Sequence, residues 1–303
     1  MKPRLLHYDA VVVGAGVHGL VAGTRLAQAG AKVCVIARGH GATHLSPATI
    51  DRPPAPEIAL WFKQLVASGP LPGYEYVDVP DGLGLPTALG TRKPTVLVPS
   101  TMAPGTRTVS RIAVVGSPGL RDFQAGLCAA NLKAERCHVR AVQFDWRLDR
   151  ADANAVHAAA RFDDPVWRQQ FIKTLSPLLE REDQLIGLPA VLGLRHPGGI
   201  HAELQERLGR PVFEIPTLPP SVAGMRLFEI LRTALRTAGG RLVLGPHVEL
   251  GTTGGNRIRS VRAGSAGTDT WYSADAFVLA EGEDAATEEQ ALTRGYRAVE
   301  VLT

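Results

Sequence analysis

Apolar positions near the start of the chain change period abruptly. Four consecutive apolar residues, Ala10 to Val13, lead into Gly14-Ala-Gly-Val-His-Gly19. After that turn, Leu20, Val21, Thr24 and Ala27 recur at helical spacing, and Gly30 closes the run. The pattern predicts a buried strand over 10–13, a helix over 17–29 and a second buried strand over 32–36. Strand, helix and strand together make a βαβ unit, which calls for a parallel sheet at this end of the chain.

The same reading continues downstream. From Pro53 to Pro104 there are ten prolines, which exclude long strands because proline supplies no ladder N–H. Trp61, Phe62, Tyr74, Tyr76 and Leu97 are apolar anchors, so the segment is expected to be an ordered excursion with one helix over 58–68 and an edge strand over 94–98. A second βαβ is expected over 111–145, with strands over 112–115 and 138–144, a glycine turn at Gly116 and Gly119, and a helix over 121–133. Further helices are expected over 164–182 and 201–208, with a strand entering a loop over 186–192. Ser221 is placed to cap a long helix that ends at Gly239-Gly240. Short strands over 241–244, 258–262 and 270–272 then read as an antiparallel meander. A last strand over 274–280 runs back to a glycine turn, followed by a frayed helix over 283–294.

The expected fold class is therefore α/β. It is a Rossmann-like dinucleotide-binding fold with a parallel sheet, an antiparallel meander and an inserted second α/β region. Residues 1–52 and 216–303 form the nucleotide-binding part, and 53–215 the insert. Length alone, 303 residues, suffices for two domains.

Charge and composition narrow the chemistry. Hydrophobic content is 45%, charged content 20% and net charge +4, with basic residues dispersed rather than interleaved with aromatics. Nucleic-acid binding is not expected. Cys34, Cys128 and Cys137 lack C-x-x-C spacing, which gives no iron–sulfur or zinc site and points to a reducing, cytoplasmic compartment. No Ser/His/Asp grouping and no H-E-x-x-H spacing support hydrolase or zinc chemistry. No apolar run reaches the ~18 residues needed to span a bilayer.

The opening motif carries most of the functional signal. Gly14, Gly16 and Gly19 stand in G-x-G-x-x-G order between a strand and a helix. In that setting Gly14 makes the tight turn, Gly16 lets backbone approach a pyrophosphate, and Gly19 allows close helix–strand packing. Ala15 and Val17 add backbone N–H groups at the positive end of the helix dipole. Such sites usually place an acidic residue at the end of the second strand to hold ribose hydroxyls. Here that end reads Ala37-Arg38. Arg38 is then an exposed arginine, a phosphate contact, a sign of an altered adenosine end, or the mark of a cofactor without adenosine ribose.

The order of these elements resembles the family of FAD-dependent oxidoreductases typified by fumarate reductase. In that family the closing strand ends in Ala-Thr-Gly, and here it ends in Ala280-Glu281-Gly282. Three further segments, Ala88 to Thr95 with Pro99 to Ala103, Val114 to Ala125 and Ile215 to Arg226, are similar to the B-type subunit family of anaerobic glycerol-3-phosphate dehydrogenase. The resemblance covers Asp9 to Gly282.

That resemblance implies oxidation of sn-glycerol 3-phosphate to dihydroxyacetone phosphate, with electrons passed to quinone. It implies a flavin, FMN by family assignment with FAD the alternative. It implies two partners, a catalytic flavoprotein subunit and a membrane-associated iron–sulfur subunit, hence a cytoplasmic protein held peripherally at the inner face of the membrane. The loop after the second strand lies beside the flavin ring in these families, so Ser46 and Thr49 are candidate ring contacts. His44 matches a histidine that carries covalent flavin in some relatives, or is an ordinary loop histidine. Ala280 and Gly282 are expected beside the cofactor. Arg92, Arg121 and Arg226 lie in the matching segments and are candidate donors to a phosphorylated polyol; the catalytic residue is not identified.

Two features depart from the family. Glu281 puts a carboxylate where phosphate or ring approaches, and the family pattern continues beyond Thr303 to a second flavin-contacting glycine segment. They motivate an alternative, a non-catalytic assembly subunit that has lost flavin. A nicotinamide dehydrogenase is a third reading, disfavoured by the Ala37-Arg38 strand end and the meander.

Overall fold

The structure is a computed structural model that describes residues 4–79, 84–132, 137–150, 152–254, 257–265, 268–280 and 287–302. In chain order the first elements are β1 (Arg4–Val13), α1 (Val17–Gln28), β2 (Val33–Ala37), α2 (Pro56–Ala67), β3 (Tyr76–Asp78), β4 (Leu85–Pro86), β5 (Arg92–Lys93) and β6 (Leu97–Pro99). Next come β7 (Arg111–Gly116), α3 (Ala125–Leu132), β8 (His138–Gln143), α4 (Ala155–Phe162), α5 (Pro165–Leu175), β9 (Leu185–Pro189), α6 (Pro197–Leu208), β10 (Val212–Ile215) and α7 (Val222–Thr237). The chain closes with β11 (Arg241–Leu244), β12 (His247–Leu250), β13 (Thr253–Gly254), β14 (Arg257–Ile258), β15 (Ser260–Ser265), β16 (Thr268–Leu279) and α8 (Glu288–Arg297). Two compact units result, one from 1–43, 54–65 and 227–303, the other from 44–53 and 66–226.

The first unit is built on a six-stranded sheet in the order β11-β2-β1-β16-β15-β12. The first four strands are parallel, and β15 and β12 continue antiparallel. Every residue of β2 is buried, as a central parallel strand covered on both faces requires. Val11, Cys34, Ile36, Val261 and Tyr272 belong to its core. Helix α1 comes close to the sheet because Gly23 has no side chain: a Cβ there would lie 2.5 Å from Val35 Cγ2. Helix α8 seats on α1 through Gly295, where a Cβ would be 2.6 Å from the His18 carbonyl oxygen. The Thr287 hydroxyl accepts the Gln290 N–H at 3.2 Å and caps α8, Glu288–Arg297; residues 283–286 of the helix expected over 283–294 lie outside the described residues.

The meander differs from expectation in two ways. Residues 241–244 do not join it; β11 pairs parallel with β2, Leu242 opposite Val35. The strands expected over 270–272 and 274–280 are one strand, β16. Ser273 does not break it, since its hydroxyl donates to the Leu6 carbonyl at 3.4 Å and lies 3.2 Å from His7 Nδ1.

The second unit holds a four-stranded parallel sheet in the order β10-β9-β7-β8. The first βαβ of this unit forms as expected, but α3 starts only at Ala125. Asp122 is diverted: its Oδ2 accepts the Ala155 N–H at 2.8 Å, at the start of α4. Helix α4 was not expected, and the Asn154 side chain caps it by accepting the Val156 and His157 N–H groups. β10 was also not expected; its four residues are all buried, leaving no alternation to read. Among the described residues of the proline-rich stretch, the expected anchors Phe62, Tyr74, Tyr76 and Leu97 are buried and Trp61 is half-buried, with short ladders β3–β6 and β4–β5; residues 80–83 lie outside the described residues.

Candidate functional site

At the turn from β1 into α1 the three glycines have different surroundings. Gly14 has φ +114°, and a Cβ there would sit 2.3 Å from the Ala280 carbonyl oxygen. A Cβ at Gly19 would sit 1.9 Å from the Gly14 carbonyl oxygen. Both positions are glycine because the protein itself leaves no room. Gly16 is different: a Cβ there would meet, within 4 Å, only Thr43 Oγ1 at 3.9 Å, and its φ of −74° is ordinary. The space beside Gly16 is therefore not filled by the described chain.

Three further features converge on that space. The first helical bond runs from the Leu20 N–H to the Gly16 oxygen at 3.0 Å, so the amides before Leu20 have no acceptor within the helix. No acidic residue occupies the first turn of α1, which leaves its positive end uncompensated. The loop after β2 folds down on the turn: Gly41, at φ +59°, would place a Cβ 3.2 Å from Gly16 Cα. That loop delivers Thr43, 3% exposed, whose Oγ1 is buried without a hydrogen-bond partner among the described residues. An orphan hydroxyl is costly unless something binds it. Thr43 escapes sequence reading because only its burial separates it from any loop threonine.

The residues expected at the cofactor are placed as follows. Gly14, Ala15, Gly16, Val17, Gly19 and Ala280 are together, with the Ala280 N–H on the Val13 oxygen at 2.8 Å. Arg38 follows the end of β2 and is exposed. Glu281 and Gly282 lie outside the described residues. His44, Ser46 and Thr49 fall in the second unit. There the His44 carbonyl accepts the Ser221 N–H at 2.7 Å, and Ser46 Oγ accepts the Ala48 N–H at 2.9 Å. Thr49 Oγ1 donates to Asp51 Oδ1 at 3.3 Å and accepts from Lys93 Nζ at 3.1 Å.

The three arginines expected to hold phosphate have different surroundings. Arg121 is exposed. Arg92 donates to the Gly84 oxygen at 3.1 Å and the Gly105 oxygen at 3.5 Å, and burial lowers its pKa. Arg226 is an interior ion pair rather than a substrate donor. Its Nη1 and Nη2 donate to Glu214 at 2.6 and 3.0 Å, and its Nε to the Gly193 oxygen at 2.8 Å. Both side chains are 0% exposed. Thr101 Oγ1 and the Leu192 N–H complete the Glu214 shell at 2.7 and 2.8 Å. Burial alone would raise the Glu214 carboxyl. The Arg226 charge and these hydrogen bonds outweigh it and hold the group below the usual carboxylate range.

A Rossmann-like sheet with a glycine turn leading into its first helix is the class this geometry defines. The FAD binding domain family matches the chain in two overlapping segments, 9–73 and 52–294, and the chain belongs to that family. Its fold is that of the flavin-dependent oxidoreductases. The chain is similar to the B-type subunit of anaerobic glycerol-3-phosphate dehydrogenase from Pectobacterium carotovorum, 29% identical over 282 residues, 79% of this chain and 67% of the relative. The corresponding protein from Vibrio cholerae is 28% identical over 328 aligned positions, 92% of this chain and 74% of the relative. That from Yersinia enterocolitica is 29% identical, with 91% and 75% covered.

Among the described residues, the orphan Thr43 hydroxyl and the open surroundings of Gly16 fit the phosphate-bearing part of a flavin nucleotide. Among the described residues there is no cluster that could hold a metal ion, and no helix long and apolar enough to cross a membrane.

Proposed function

We propose that the chain is a flavin-dependent subunit of a glycerol-3-phosphate dehydrogenase that oxidises sn-glycerol 3-phosphate to dihydroxyacetone phosphate. The observation that carries the cofactor part is the Thr43 hydroxyl, buried beside Gly16 at the start of α1 without a partner among the described residues. The substrate part rests on the relatives' names. A bound flavin supplies a two-electron acceptor for hydride from C2 of the polyol. The amides of Ala15, Gly16 and Val17 and the α1 dipole hold its phosphate, and the Thr43 hydroxyl supplies one further hydrogen bond. Gly14 and Gly19 set the turn that presents these groups. Residues 1–52 and 216–303 are proposed as the flavin-binding part, and 53–215 as the part facing substrate and partners. Of the three arginines, exposed Arg121 is the one placed by its exposure to meet a phosphate; Arg92 donates to the Gly84 and Gly105 carbonyls.

Beyond the chain, electrons pass through an iron–sulfur partner to quinone, and the complex lies at the cytoplasmic face of the membrane. FMN is the proposed flavin, because Ala37-Arg38 puts no carboxylate where an adenosine ribose is usually held. The test is anaerobic addition of sn-glycerol 3-phosphate to the purified flavin-loaded complex. Bleaching of the flavin bands assigned to this chain, absent with the enantiomeric phosphate, is expected. Unchanged bands on this chain while the partner flavoprotein is reduced would establish a non-catalytic assembly role instead.

A further inference from the structure

The flavin site leaves unused a face of the second unit formed by α5 and the segment after β8. Phe144, Trp146, Trp167 and Phe171 cluster there, with Phe171 5.2 Å from Trp146, 5.4 Å from Phe144 and 5.5 Å from Trp167 between ring centroids. Their rings wall a niche of about 250 Å³. It adjoins a groove of about 1000 Å³ lined by Arg147, Val166, Trp167, Gln170, Lys173 and Arg207, among others. Among the described residues, no carboxylate lines the groove and that of Asp145 alone lines the niche.

Two details mark this face. Arg147 holds φ +52°, left-handed backbone that disfavours a branched or bulky residue. Asp145 secures the turn by accepting the Arg147 N–H on Oδ1 at 2.8 Å. The Trp146 indole N–H, in a residue 3% exposed, has no acceptor among the described residues. Next to them Val166 is 75% exposed, an apolar side chain at the rim of a basic groove.

Size and charge choose the occupant. A niche of this volume takes one aromatic side chain, whereas the groove beside it is lined by exposed Gln169, Gln170, Lys173 and Ser176. A small ligand there would keep much of its surface in water, unlike the usual deep site. An extended protein segment would use both parts. Its aromatic anchor fills the niche, and its carboxylates meet Arg147, Lys173 and Arg207.

We propose that this face docks an acidic segment of a partner protein through one aromatic anchor. The inference stands apart from the flavin site, so it is tested with and without added flavin. The probe is a fluorescein-labelled peptide, Asp-Glu-Asp-Tyr-Glu-Asp, read by fluorescence anisotropy against the full chain. Saturable binding is expected, weakened at least tenfold in the Lys173→Glu/Arg207→Glu variant and at least tenfold when the peptide tyrosine is alanine. Circular dichroism checks that the exposed substitutions leave the fold unchanged. Absence of binding, equal binding of the alanine peptide, or equal binding by the charge-reversed chain overturns the proposal. Sedimentation with anionic phosphatidylglycerol vesicles that depends on the same lysine and arginine, without peptide binding, would assign the face to lipid and overturn it as well.

Discussion

Replacing Arg226 by methionine would leave the Glu214 carboxylate buried with its main counter-charge gone. Removing one partner of such a pair costs about 3–5 kcal/mol. Glu214 would keep the Thr101 hydroxyl and the Leu192 N–H, at 2.7 and 2.8 Å, so the lower end, about 3 kcal/mol, is expected. With a urea slope of about 2 kcal/mol per molar, the unfolding midpoint should fall by about 1.5 M. The double variant Glu214→Leu/Arg226→Met removes both charges and should recover most of that loss, within about 1 kcal/mol of the parent. A double-mutant cycle followed by tryptophan fluorescence measures the coupling. A midpoint shift below about 0.5 M for Arg226→Met would refute the assignment of this pair as the interior clamp of the second unit.

Gly16→Ala should leave the stability of the flavin-free chain within about 0.5 kcal/mol of the parent, because its Cβ meets only Thr43 Oγ1 at 3.9 Å, yet weaken flavin binding at least tenfold in fluorescence titration. Gly19→Ala, with a Cβ 1.9 Å from the Gly14 oxygen, should instead lower the melting temperature of the flavin-free chain. Thr43→Val removes a buried hydroxyl that has no partner, so the flavin-free chain should gain about 1 kcal/mol while the flavin complex loses a comparable amount. Acid should destabilise the second unit. Glu214 is held below the carboxylate range, and so is Asp183, where burial is outweighed by the Arg140 hydrogen bond and charge. Groups depressed in the folded state contribute stability that is complete above the unfolded value of about 4 and is lost as pH falls through the folded value. Urea midpoints should therefore be flat from neutrality to about pH 5 and drop below about pH 4; a midpoint that rises on acidification would contradict both assignments.

Much of the first unit was legible because local signals agreed. Consecutive apolar residues, a glycine turn and helical spacing all pointed to β1, α1 and β2, and two of the three glycines are fixed by contacts under 2.5 Å. The pairing of β11 with β2 was not legible, since a four-residue strand looks alike in a meander and at a parallel edge. β10 lacked a period because all its residues are buried, and α4 lacked an apolar stripe long enough to read. The glycine turn between β1 and α1 was legible from its spacing, and its role as a phosphate loop is the one proposed above. Thr43 was not, because its burial depends on Gly41 folding the loop against Gly16. Arg226 misled for a related reason: its partner Glu214 is twelve residues away in sequence, on an unrecognised strand.

The central claim, that the glycine loop holds a flavin nucleotide, is tested most directly by loading the purified chain with FMN or FAD, removing free cofactor, and quantifying and weighing what is retained. One flavin per chain, lost in Gly16→Ala and diminished in Thr43→Val, is the predicted result. A chain that retains neither flavin, or retains it equally in all three proteins, would contradict the account.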